Sequence, residues 1–238
     1  MTGPKPAPSI VVTAVLAVLV TAGALVTAVL LRPDAPDVAA PGAGGESSTA
    51  GVASECGPRA CQVLVRQPVK GTTAELLADP EGGAAHVRFG GLGSDFVLES
   101  ALAPMEVAVG QDSLQCVDAE LAACLVQGDY QGGVLAELLV APGDTWRQSD
   151  RLYFSDAGRV LLAQVVGDPA PEVVVVRHEC ASAAPAAPGC TRGPVLAEVF
   201  ELSGKQAGCT KRYSAPSQLR GWPDVRLGPA DLRPCPAS

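Results

Sequence analysis

The chain has 238 residues, a formal net charge of −8 at pH 7, eight cysteines and only two histidines. An acidic chain of this kind repels a phosphate backbone, which excludes nucleic acid as a partner. The chain has 26 glycines and 21 prolines, and from Cys56 onward they interrupt it so often that no helical period extends beyond about ten residues, which excludes a helical domain there.

Residues 1–9 precede an uncharged run from Ile10 to Leu31. At about 1.5 Å per residue this run reaches roughly 33 Å, which predicts a transmembrane signal anchor over 10–31, with the lipid bilayer as a partner. It is longer than the apolar core of a cleaved signal peptide, about 7 to 15 residues, and no good cleavage site follows it at once. All eight cysteines come after it. An even set of cysteines on one side of a span implies an oxidising compartment there, so residues 1–9 are expected in the cytoplasm. The expected localisation is the cell membrane, single-pass, with the C-terminal domain extracytoplasmic. Residues 32–55 are Pro, Ala, Gly and Ser without apolar periodicity and read as a disordered linker.

From Cys56 onward, short valine-rich runs such as CQVLV, AHVRF, GVLAELLV, RVLLAQVV and EVVVV alternate with Gly, Pro and Asp. Runs of about five to eight residues so bounded are strands, and the fold class expected is all-β; AELAACLV alone could form a short helical turn. A recurring layout suggests repeats. The cysteine pairs Cys56/Cys61, Cys116/Cys124 and Cys180/Cys190 precede AELLADP at Ala74, AELLVAP at Ala136 and AEVFELS at Ala197. The spacing gives about three units of 60–66 residues within 56–204 (116 − 56 = 60, 136 − 74 = 62, 154 − 89 = 65 and 172 − 106 = 66). Such units bury their apolar faces only against neighbours.

LLAQVVGDPAPEVVVV, Leu161 to Val176, resembles the core of FG-GAP and VCBS repeats, the blades of integrin-α-like β-propellers, and Phe89-Gly90 followed by PMEVAVG resembles the ends of the same unit. The resemblance implies degenerate propeller-type repeats, as a partial propeller or a sandwich. It does not carry over the family's calcium loop. Only Asp168 remains as a charged donor in Gln164–Asp168, against the six to eight oxygens a calcium ion takes.

The eight cysteines, Cys56, Cys61, Cys116, Cys124, Cys180, Cys190, Cys209 and Cys235, are the disulfide candidates. Proximity in the chain suggests 56 with 61, 116 with 124, 180 with 190, and 209 with 235, the last closing the C-terminal segment 205–238. Chemistry is otherwise sparse. His178 beside Cys180 is too small a set for a metal, and no G-x-S-x-G elbow supports a hydrolase. Gly90 to Gly93 lacks the lysine and helix of a phosphate cradle. No catalytic residue, metal or cofactor is expected, and Glu99, Glu106 and Glu172 read as strand-face charges.

Charge divides the domain: residues 56–204 carry 9 basic and 19 acidic side chains, residues 205–238 carry 6 and 2. The basic tail is expected either to dock on its own acidic body or to present a binding patch. That patch would comprise Lys211, Arg212, Tyr213, Arg220, Trp222, Arg226 and Arg233, and its partner would be an anionic envelope polymer or a protein. The function expected is a membrane-anchored binding or interaction module rather than an enzyme. The alternatives are an envelope hydrolase using carboxylates and a structural accessory subunit of a membrane complex.

Overall fold

The computed structural model describes residues 55–56, 59–90, 96–179 and 193–236. The chain divides into units 1–48 and 49–238, and every described residue belongs to the second. The expected anchor over 10–31 and the linker over 32–55 lie outside the described residues, apart from Glu55. Among the described residues no helix is long and apolar enough to cross a membrane. The single-pass anchor, the bilayer as partner, the cell-membrane placement and the membrane-anchored function are corrected on that finding. What the structure supplies is a disulfide-stabilised all-β domain.

A two-residue pair, β1 (Glu55–Cys56) with β2 (Arg59–Ala60), precedes three four-stranded antiparallel sheets. The first is β3 (Gln62–Val69), β4 (Thr72–Ala78), β5 (His86–Phe89) and β6 (Val97–Glu99); the second is β7 (Leu114–Val117), β8 (Ala122–Tyr130), β9 (Gly133–Ala141) and β10 (Arg147–Ser155). The third is β11 (Val160–Ala163), β12 (Glu172–His178), β13 (Val195–Phe200) and β14 (Gln206–Cys209). Each is a meander in which sequence neighbours pair. AELAACLV, the one candidate helical turn, runs from a loop into β8.

Strand alternation explains how the sheets stack. Along β8, Ala122, Cys124 and Val126 join Leu76, Val87 and Phe89 of the first sheet in one core. The intervening Ala123 and Leu125 join Val160, Leu162, Val173 and Val175 of the third sheet in another. A strand buried on both faces has no polar side to show, which is why β8 and β9 read as nearly continuous apolar runs. On the third sheet Val174, Val176, Ala197 and Val199 point the other way, and Leu219, Val225 and Leu227 of the C-terminal segment cover them. The tail is thus the last layer of the stack.

Polar side chains hook one sheet to the next. The Gln67 amide on β3 accepts from the Cys116 N–H at 2.7 Å and donates to the Leu114 carbonyl at 2.7 Å. The Gln115 amide on β7 accepts from the Leu162 N–H at 3.0 Å and donates to its carbonyl at 3.2 Å. Each glutamine extends the backbone ladder sideways, from the first strand of one sheet to the first strand of the next. The two lie 48 residues apart (115 − 67). The structural unit is therefore shorter than the 60–66 residues of the sequence layout. The AEL motif sits on the second strand of the first sheet but on the third strand of the other two. Three similar sheets are present, and the sequence matches among them slip by one strand.

Disulfides join Cys56 to Cys61, Cys116 to Cys124 and Cys209 to Cys235, and no described cysteine is free. Cys180 and Cys190 lie outside the described residues. Cys116–Cys124 spans a directly opposed pair on β7 and β8. Cys209–Cys235 fastens the tail across a separation of 26 residues, a loop whose closure contributes about 3 kcal/mol by restricting the unfolded chain. Replacing both Cys209 and Cys235 by serine is expected to lower the urea unfolding free energy by about that amount; an unchanged midpoint would show that apolar docking alone holds the tail.

Candidate functional site

The β8–β9 hairpin, the turn after β10 and the 222–223 segment of the tail enclose a groove of about 530 Å³. The hairpin is sharp because its two loop residues, Gln131 and Gly132, both take positive φ, 47° and 82°, the primed geometry that matches strand twist. Tyr130 ends β8, half-buried, with its ring edge-on to Phe154 at 6.5 Å between centroids and its hydroxyl accepting from Gln131 Nε2 at 2.9 Å. Asp129 stands exposed beside it. Gly133 allows close approach, since a Cβ there would lie 2.7 Å from Phe154 Cζ.

The opposite wall comes from the C-terminal tail. Trp222, joined to Pro223 by a cis peptide, packs with the tail core. Its ring edge rests on Gly158, where a Cβ would lie 2.7 Å from Trp222 Cη2; any side chain at 158 would push the indole away. Between the walls sit Asp156 and Arg159. Asp156 Oδ1 accepts from the His178 backbone N–H at 2.7 Å and lies 3.3 Å from His178 Nδ1, which fixes the carboxylate's orientation. Arg159 is exposed, and its guanidinium donates to the Asp112 carbonyl. The groove combines aromatic surface from Tyr130 and Trp222 with two carboxylates, one guanidinium and the Gln131 amide. That composition suits a small ligand with apolar ring faces and polar edges.

Several residues of the expected basic patch are engaged in local contacts. Arg212 is bound by Glu179, whose carboxyl this bond holds below the ordinary range. Arg220 pairs with Asp231 at 3.1 Å and donates to the Arg226 carbonyl at 2.8 Å, while the Arg226 side chain is exposed. Lys211 lies over the Tyr213 ring, 5.1 Å from its centroid. Arg233 is exposed and its backbone pairs with Cys209. Of the seven, Trp222 alone lines the groove. Sequence reasoning singled out neither Tyr130 nor Asp156; the paired Gly132-Gly133 after an aromatic strand end was the available signal.

Two buried carboxylates hold loops. Burial pushes the Glu137 and Glu172 carboxyls up; Glu137 Oε2 accepts from the Ala101 N–H at 2.7 Å and Glu172 Oε2 from the Val165 N–H at 2.7 Å, so each pins a connecting loop. Glu99 and Glu106 are exposed. Among the described residues, one set of donors has metal-ligand proximity, Cys56, Cys61 and His86, within 4.8 Å of one another. Its two sulfurs are joined in a disulfide and so cannot act as thiolate ligands. Comparison with known proteins gives no match: no family model, no curated protein and no solved structure is similar to the chain.

Proposed function

We propose that this domain is a binding module and that the groove between the β8–β9 hairpin and Trp222 takes a small, ring-shaped, polyhydroxylated ligand of the sugar type. The observation that carries the reading is the lining: Tyr130 and Trp222 with Asp129, Asp156 and Arg159 in a groove of about 530 Å³. Aromatic rings pack against the C–H faces of such a ring, and ionised side chains form the stronger kind of hydrogen bond with hydroxyl groups at its edge. The volume falls within the range of about 300–1,000 Å³ common for small-ligand sites. His178 at Asp156 fits the reading too, since a carboxylate already oriented loses less freedom on binding.

The three sheets stack face to face as blades do, each hooked to the next through its first strand, which supports a three-bladed partial propeller of FG-GAP type. Alignment of the tail as a final layer favours an open fan over a closed ring.

Calorimetric titration with a panel of neutral, acidic and amino-sugar oligosaccharides tests the proposal. At least one class is expected to bind, with affinity reduced roughly tenfold or more in Tyr130→Ala and in Asp156→Asn, the loss typical of a well-placed aromatic or charged contact. Retained affinity in both variants, or no binding by any class, would contradict it.

A further inference from the structure

The Cys56–Cys61 disulfide differs from the other two described in its short loop and in the imidazole beside it. It closes a separation of only 5 residues, against 26 for Cys209–Cys235, so it restricts the unfolded chain least. Neither its sulfurs nor those of Cys209–Cys235 belong to a core between sheets, whereas Cys124 lies inside one and Cys116 packs on it. The fold therefore has little need of it as a staple. Yet an imidazole is set against it. Cys61 immediately precedes β3, and β4 pairs with both neighbours so that Gln62 faces Ala78 and His86 faces Leu77. The register brings His86 to the same end of the first sheet as the disulfide, with Nδ1 3.7 Å from Cys56 Sγ. His86 Nδ1 also lies 3.0 Å from the Ala84 carbonyl. A carbonyl only accepts, so Nδ1 carries the proton, and its single N–H is shared between the Ala84 carbonyl and the sulfur.

We propose that Cys56, Cys61 and His86 form a thiol–disulfide exchange site that reacts with small thiols or dithiols. Cys56 is buried, 1% exposed, and Cys61 is half-buried, so the incoming thiolate meets Cys61 first. It forms a new S–S bond to Cys61 Sγ while the Cys56–Cys61 bond breaks, and Cys56 Sγ leaves with the electron pair as a thiolate. The His86 N–H donates into that developing charge. A better-stabilised leaving thiolate departs faster. A second thiolate then attacks the external sulfur of the mixed disulfide and releases Cys61. Two thiols are oxidised to one disulfide, two electrons pass to the protein, and the two Cys thiolates take up the protons the small thiols lost. Opening the bond frees the β1–β2 hairpin and leaves the three cores intact.

The test treats the whole protein with glutathione or dithiothreitol under native conditions, quenches with iodoacetamide at intervals and maps each cysteine by mass. Cys56–Cys61 is expected to open at least about tenfold faster than Cys116–Cys124 and Cys209–Cys235, with the glutathione adduct on Cys61. His86→Gln is expected to slow that bond alone by about tenfold, the other two serving as internal controls for folding. Equal rates for the three bonds, an adduct on Cys56, or a wild-type rate in His86→Gln would overturn the proposal. So would a reduced pair that retains added zinc and resists reoxidation, which would indicate a metal centre instead.

Discussion

Replacing Arg88 by methionine is expected to destabilise the domain by about 3 kcal/mol at neutral pH, the cost of removing the buried one of two partners of a buried charge. Glu75 on β4 is 2% exposed and Arg88 on β5 is 6% exposed; they face each other across the ladder on the side of the first sheet away from the second. Arg88 Nε donates to Glu75 Oε2 at 2.7 Å, and Arg66 Nε donates to Oε1 at 2.5 Å. Burial alone would raise the Glu75 pKa, but the bonds and charges of Arg66 and Arg88 outweigh it and hold the carboxyl below its ordinary value of 4.5. The sign of the pH dependence follows. With the folded pKa lowered, Glu75 stabilises fully above its unfolded value and the contribution is lost as pH falls through the folded one. In Arg88→Met two of the lowering causes are lost and only Arg66, with a side chain 57% exposed, remains, so the folded pKa rises relative to the wild type. The stability that the wild type gains from Glu75 as pH increases from about 4 to 7 is then expected to be smaller in the variant. Urea unfolding across that range checks both points. The pair Glu75→Leu with Arg88→Met is expected to recover most of the loss, because apolar groups carry no desolvation penalty.

Gly82→Ala is the second large expected effect, about 3 kcal/mol or more and a melting temperature lower by roughly 10 °C. Gly82 has φ +77°, and a Cβ there would run into the Val109 carbonyl with the Val109 nitrogen 3.1 Å away. The glycine also accepts from the Val109 N–H at 2.8 Å, tying the turn between β4 and β5 to the crossover that leads into the second sheet. The obstacle is backbone on both sides and cannot turn aside. Gly71→Ala provides the control: its φ is +67° but nothing lies within 4 Å of a Cβ, so only backbone strain of about 1 kcal/mol is expected. Equal thermal shifts in the two variants would show that the contact with the crossover does not matter.

The strands were legible because valine-rich runs ended at turn formers: EVVVV is within β12 and GVLAELLV is within β9. The repeat phase was not. Alanine, leucine and a glutamate recur on β4, β9 and β13 because each is a strand buried on both faces, and that burial does not depend on position within a sheet. The features that do mark equivalent positions, Gln67 and Gln115, are polar and hydrogen-bond to backbone, which leaves no apolar period. Charge left the tail with two expected roles, docking or a binding patch, and the contacts that lay it on the third sheet are the apolar ones of Leu219, Val225 and Leu227. The groove was hidden for a related reason. Tyr130, Asp156 and Trp222 are distant in sequence and meet only because the tail folds back over the third sheet. The run over 10–31 shows the opposite hazard: length and hydropathy set the expectation of an anchor, while the described structure supplies no helix to bear it out.

Trp146, the other of the two tryptophans, stacks on Phe89 with centroids 4.0 Å apart, among the core of the first two sheets. Two indole N–H resonances are therefore expected in an amide NMR spectrum, one from the core and one from the groove. Titration with the bound oligosaccharide class, followed on that spectrum, is the direct measurement. The account predicts saturable shifts at the Trp222 indole and at the amides of Gln131, Gly132, Gly158 and Arg159, with the Trp146 indole unmoved. Shifts clustered elsewhere, or a Trp222 indole that stays in place at saturation, would contradict it.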